Sequence, residues 1–117
     1  MTQSDLLNTI TKTSSLNQIQ DYIKAVLDLR GFNDESIQET MLLLLEEAGE
    51  LAKAIRKTAT NMSVDADKMQ SYDTVESEVA DVLIVLPAVC NKLNINLLDA
   101  LIEKERKNSA RNWTFER

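Results

Sequence analysis

Apolar residues at Leu16, Ile19, Ile23, Val26 and Leu27 recur at three- and four-residue intervals. That spacing lines one face of a helix, and Gly31 is a natural stop, so a helix is expected over about 16–30. Asn33 or Asp34 can cap a second helix, with Ser36 and Glu39 as an alternative capping box, and no breaker follows until the polar stretch after Lys57, giving a helix over about 35–58. Gly49 inside it costs about 1 kcal/mol relative to Ala and would admit a closely approaching backbone or ligand. Residues 58–70 mix Thr, Asn, Ser, Asp and Lys without a clear period, as in a crossover or a loop with one helical turn.

A third helix begins at Ser71 or Asp73, with Asp73 and Glu76 in capping-box relation, and is apolar nearly all round from Val79 to Val89. In a chain of 117 residues such a helix is expected to pack against another subunit as well as its own chain. Pro87 removes a backbone hydrogen bond, which predicts a kink or a helix in two pieces. Asn94 can stop it, and Asn96 with Asp99 opens a last helix over about 97–107. Trp113 and Phe115 follow, in position to anchor the tail to the body. Residues 1–15 are rich in Thr, Ser and Asn with weak periodicity, and read as a flexible arm or a frayed first turn ahead of a single domain over 16–117.

Composition agrees with this pattern. Two Gly and one Pro leave little material for the tight turns of a β fold, so the chain is expected to be all-α. A net charge of −6 and a pI near 4.6 argue against a nucleic-acid polymer as partner, because no basic stripe could neutralise several phosphates. The one basic concentration, Lys104, Arg106, Lys107, Arg111 and Arg117, is interspersed with Glu103, Glu105 and Glu116 and suits a solvated helix end. The lone Cys90 cannot form an intramolecular disulfide and sits in an apolar helix, as a small hydrophobe in a reducing compartment would. No hydrophobic signal core is present, and the longest apolar stretch is interrupted by Asp81, so no membrane association and a cytoplasmic location are expected.

Two acidic clusters carry the candidate chemistry. Glu46, Glu47 and Glu50 directly follow the run Met41–Leu45, and Glu78 and Asp81 directly precede Val82–Leu86. At helical spacing the carboxylates of each cluster crowd one arc, and ionised groups beside leucines are costly unless a positive charge meets them. No Lys or Arg lies between Lys68 and Lys92, so the charge must come from Lys53, Arg56 and Lys57 or from a hard divalent cation between the helices. Oxygen donors without His suit Mg²⁺ or Mn²⁺ rather than Zn²⁺. No Gly-rich phosphate loop, CxxC pair or nucleophilic triad accompanies them.

The acidic pattern, Glu46-Glu47-x-x-Glu50 and Glu78-x-x-Asp81 separated by residues 51–77, resembles the EExxE…ExxD signature of the MazG-like family of all-α nucleotide pyrophosphohydrolases. The runs Leu42–Lys57, Glu76–Leu86 and Glu103–Trp113 follow the same family's pattern, while Pro87 and the long spacer depart from it. The resemblance implies a four-helix bundle completed by dimer or tetramer packing, with sites near subunit contacts. It also implies Mg²⁺-dependent hydrolysis of a nucleoside triphosphate to monophosphate and pyrophosphate, in cleaning of the nucleotide pool. On that footing Glu47, Glu50, Glu78 and Asp81 would hold the metal, with Glu46 or Glu47 polarising the attacking water and Glu46 favoured as base or second-metal ligand. Lys53 shares the stripe of Glu46 and Glu50, and Lys107, Asn108 and Arg111 match the family's Lys-Asn-x-x-Arg ending; these four would contact phosphates. Tyr22, Asn33 and Trp113 are candidates for touching the base.

Two competitors remain at this point. One is a phosphoribosyl-ATP pyrophosphatase-like enzyme, against which the Lys-Asn-x-x-Arg ending argues. The other is a non-catalytic helical oligomerisation module whose acidic cluster is paired internally.

Overall fold

The computed structural model describes residues 1–69 and 73–115, and every secondary-structure element among them is a helix. The elements are α1 (Gln3–Leu7), α2 (Leu16–Leu29), α3 (Ile37–Ala59), α4 (Ala66–Met69), α5 (Val75–Lys92) and α6 (Leu97–Ala110). Four long helices therefore carry the expected all-α fold, with α3 and α5 forming its most extensive contact and α2 packing on α5 and α6.

Local chemistry sets the ends. Ser15 and Ser36 open α2 and α3 with complete capping boxes through Gln18 and Glu39, so the Ser36 alternative wins over Asn33 and Asp34. Asn33 instead donates from Nδ2 to Asp28 Oδ1 at 2.5 Å. Gly31 (φ 85°) and Asn94 (φ 54°) turn the chain through the left-handed region just past α2 and α5, where the sequence placed the stops. Asn96 Oδ1 accepts from Asp99 N and opens α6.

The structure corrects several expectations. α5 is capped by Thr74, whose Oγ1 accepts from Ser77 N at 3.1 Å, and not by Asp73 with Glu76. Ser71, the alternative start, lies outside the described residues, as do Glu116 and Arg117 of the basic tail. Pro87 does not divide α5, which runs unbroken from Val75 to Lys92 with the Pro87 ring fully buried. In the N-terminal segment, residues 3–7 form α1, because Thr2 and Asp5 make a capping box there and Gln3 Oε1 accepts from Arg30 Nε at 2.7 Å. Gly49 faces open space, with nothing among the described residues outside its own helix near enough for an added Cβ to touch, which leaves the expected approach open. Trp113 is 63 % exposed, so its ring does not anchor the tail in the body; its Nε1 donates to Asn108 O and Arg111 stacks over it at 4.1 Å.

The buried set, Ile23 and Val26 of α2, Ala54 of α3, and Val85, Pro87, Ala88, Val89 and Cys90 of α5, lies where these three helices meet. Cys90 packs there as a small apolar residue. The rest of the apolar periphery is open: Leu42 and Leu45 of α3 and Val79 and Leu83 of α5 are at least half exposed or nearly so. Among the described residues no single helix is long and apolar enough to cross a membrane.

Candidate active site

Because α3 and α5 pack closely, the carboxylates of Glu47 on α3 and Glu78 and Asp81 on α5 converge, with an oxygen from each within 4.8 Å of the others. Glu78 is buried to 6 % exposure, and its Oε2 is a buried polar atom without a hydrogen-bond partner among the described residues. An orphaned buried carboxylate oxygen is costly, and here its nearest company is acidic. Burial, then Asp81, Asp73 and Glu50, raise the proton affinity of Glu78 above the ordinary carboxylate range. Burial, then Asp81, Glu78, Glu46 and Glu50, do the same for Glu47. Among the described residues, the charges that raise these two groups are those of other carboxylates.

The donor set fits a hard divalent cation. An octahedral ion with bonds of about 2.1 Å holds adjacent ligand oxygens about 3 Å apart, so a spread of at most 4.8 Å needs only side-chain adjustment to close. With oxygen donors alone, the set favours Mg²⁺ or Mn²⁺ over Zn²⁺.

Glu50 stands beside this trio without belonging to it. It raises the proton affinity of both Glu47 and Glu78, while its Oε1 lies 3.8 Å from Lys53 Nζ. Glu46 is exposed, one helical step from Glu47. The C-terminal trio is elsewhere: Lys107, Asn108 and Arg111 lie at the end of α6, which packs on α2, and none lines the cleft described next. Arg111 is engaged with Trp113, and Asn108 with Glu105 Oε1 at 3.3 Å.

Beside the acidic trio opens a cleft of about 440 Å³ between α2, α3 and α5, within the range of small-molecule sites. Glu47 and Asp81 stand at its wall, Leu27, Leu43, Ile84, Val85 and Ala88 make it apolar, and Asn91 and Lys92 lie further along α5. Neither Asn91 nor Lys92 carries a motif that would have marked it as a site residue. Of the candidates for touching a base, Asn33 lines the cleft and Tyr22 and Trp113 do not. Lys92 reaches across to the loop between α2 and α3, its Nζ donating to Glu35 O at 2.6 Å and, more loosely, to Asn33 O and Phe32 O at 3.4 and 3.5 Å.

An all-α fold with acidic side chains of metal-ligating type beside an apolar cleft suits a small enzyme that pairs a divalent cation with a small-molecule substrate. The profile of the MazG nucleotide pyrophosphohydrolase domain matches residues 35–114, most of the chain, and the protein belongs to that family. Among solved structures, the chain is similar to the crystal structure of YPJD from Bacillus subtilis, a pyrophosphatase by assignment. The two share 25 % identity with a TM-score of 0.72, over 87 % of this chain and 100 % of that one. No curated protein matches the chain in sequence.

Proposed function

We propose that the protein is a Mg²⁺-dependent nucleoside triphosphate pyrophosphohydrolase, converting (d)NTP and water to (d)NMP and pyrophosphate. The observation that carries this reading is the unpartnered, buried Glu78 Oε2 among carboxylates at the edge of an apolar cleft. Glu47, Glu50, Glu78 and Asp81 would hold the cation, Glu50 by turning from Lys53. When bound, the cation supplies charge neutralisation along the triphosphate and on the departing pyrophosphate. The apolar walls hold the nucleoside part and limit water to the acidic end. With Glu47 among the ligands, exposed Glu46 beside it takes a proton from the attacking water, whose oxygen bonds to the α phosphorus as the bond from that phosphorus to the α–β bridging oxygen breaks and pyrophosphate departs.

Phosphate contacts from Lys53 and from Lys107, Asn108 and Arg111 belong to the same reading. The last three sit away from the cleft of their own chain, so they serve it across a subunit contact. Exposed Leu42, Leu45, Val79, Leu83 and Leu86 flank the acidic cluster and provide an apolar surface for a homodimer or homotetramer. A freely diffusing nucleotide in the cytoplasm suits a net charge of −6 better than a nucleic-acid polymer does.

The test is a panel of canonical and damaged nucleoside triphosphates, with phosphoribosyl-ATP included, assayed with Mg²⁺ for pyrophosphate against orthophosphate. Pyrophosphate from nucleoside triphosphates is expected. Asp81→Asn should lower turnover at least 100-fold with the helical fold intact, and Glu46→Gln should lower kcat more than it weakens metal binding, with Glu47→Gln doing the opposite. Full activity in Asp81→Asn, or orthophosphate as the product, overturns the proposal.

A further inference from the structure

At the far end of the cleft, the orientation of one side-chain amide is dictated by the backbone through a second amide. Gln20 is buried on α2, and its Oε1 accepts from Leu97 N at 2.9 Å while its Nε2 donates to Ile95 O at 2.9 Å. A backbone N–H can only donate and a carbonyl can only accept, so the Gln20 amide cannot be turned over without breaking both bonds. Its second Nε2 hydrogen goes to Asn91 Oδ1 at 2.9 Å, and Asn91 Nδ2 donates back to Gln20 O at 3.4 Å. Asn91 is thereby fixed at both ends of its own amide.

This lock leaves Asn91 with hydrogen-bonding capacity unspent. An amide offers two N–H donors and two oxygen lone pairs, and Gln20 takes one of each. Asn91 lines the cleft, half-buried, beside the walls made by Ile84, Val85 and Ala88 one and two turns earlier on the same helix. It lies ten residues beyond Asp81 on α5, which at 1.5 Å per residue is about 15 Å. That separation is the reach of an extended nucleotide from its phosphate chain to the outer edge of its base. A polar side chain held in one orientation over an apolar wall is the arrangement by which small-molecule sites fix orientation and select among similar ligands.

We infer that the cleft is a nucleoside-binding site in which Asn91 reads the base, its free Nδ2 hydrogen and Oδ1 lone pair meeting the donor and acceptor edge of a heteroaromatic ring. Leu27, Leu43, Ile84 and Val85 contact the faces of the ring, and Gln20 is a positioning residue that holds the Asn91 amide. The inference rests on the pyrophosphohydrolase reading for its substrate, and adds the residue that selects among substrates.

Steady-state kinetics on the four-base triphosphate panel test it with Asn91→Ala and Gln20→Met, each checked for helicity and Tm. Asn91→Ala should raise KM for the best substrate about tenfold with kcat within about threefold, and should flatten the preference between best and worst base by about tenfold. Gln20→Met should move both in the same direction by less, since it frees the Asn91 amide to rotate without removing it. An unchanged base preference in folded, active Asn91→Ala overturns the inference while leaving the pyrophosphohydrolase reading intact. A second measurement needs neither turnover nor a variant: titration of the ¹⁵N-labelled wild type with nucleoside monophosphates in EDTA should shift the Asn91 side-chain NH₂ resonances. No shift at millimolar ligand overturns the nucleoside site. If the wild type releases no pyrophosphate from any triphosphate, the catalytic reading fails and the titration still decides the site.

Discussion

Glu78→Gln separates the cost of the acidic trio from its use. In the metal-free protein Glu78 is buried, one of its oxygens lacks a partner, and Asp81, Asp73 and Glu50 all oppose its charge. Gln has the same shape and no charge, and its Nε2 can donate to the neighbouring carboxylates, so without metal the variant should melt higher than the wild type at neutral pH. With metal the order reverses. A ligand that binds only the folded state at a hundredfold excess over its Kd adds about 2.7 kcal/mol, and for a domain of this size each kcal/mol moves Tm by about 4 °C. Saturating Mg²⁺ or Mn²⁺ should therefore raise the wild-type Tm by about 10 °C, against about 3 °C or less for Glu78→Gln.

pH sharpens the comparison. Glu47 and Glu78 hold protons more tightly in the folded state than their ordinary value of 4.5. Their contribution to metal-free stability is therefore fully present below that value and is lost as pH rises through the raised folded-state values. Metal binding needs the same groups ionised, so the metal-induced rise in Tm grows over that window as metal-free stability falls. The assay is differential scanning fluorimetry from pH 4 to 8 at fixed protein concentration, in EDTA and in excess divalent metal. A wild-type Tm indifferent to both metals, or Glu78→Gln with the full wild-type response, would refute the reasoning.

Two further perturbations address the surroundings of the site. Leu83→Glu places a charge in the exposed apolar stripe of α5, and light scattering after size exclusion should show the proposed wild-type homo-oligomer reduced to monomer with far-UV helicity retained; an unchanged oligomer mass would place the subunit contact elsewhere, and a monomeric wild type would refute the oligomer itself. Lys92→Met removes the cation that gathers the carbonyls of Phe32, Asn33 and Glu35, and should lower Tm by about 4 °C, for about 1 kcal/mol, and raise the nucleotide KM more than it changes kcat; an unaltered KM would detach that loop from substrate binding.

Much of the architecture could be read from the chain because its punctuation is local. Ser36 and Asn96 cap from within their own first turn, and Gly31 and Asn94 are residue types that tolerate the left-handed conformations they take. Misreadings arise where several local solutions compete or tertiary packing intervenes. Asp73 and Thr74 are both competent caps, and the hydroxyl one residue later is the one in register with Ser77 N. Pro87 forfeits a hydrogen bond in isolation, yet its ring is among the most buried groups in the protein, and burial in the α5 interior offsets the loss. The α1 capping box hid in a stretch too short and polar to show a period.

The candidate site divides along the same line. Its acidic half is written as i, i+3 and i, i+4 spacings on two helices, so Glu47, Glu78 and Asp81 could be named before their meeting was seen. What spacing could not tell is that Glu50 turns toward Lys53 while Glu78 is left without a partner, since that depends on how α3 and α5 lie against each other. The cleft half has no sequence signature: Gln20 and Asn91 are 71 residues apart, and each alone is an ordinary amide on a helix. Only their juxtaposition, fixed by the α5–α6 turn that presents Ile95 O and Leu97 N to Gln20, gives Asn91 a defined direction. A carboxylate cluster can be inherited as a motif, whereas an oriented amide must be built by the fold. It follows that changes in the α5–α6 turn far from the acidic trio should alter which base is accepted before they alter whether pyrophosphate is released.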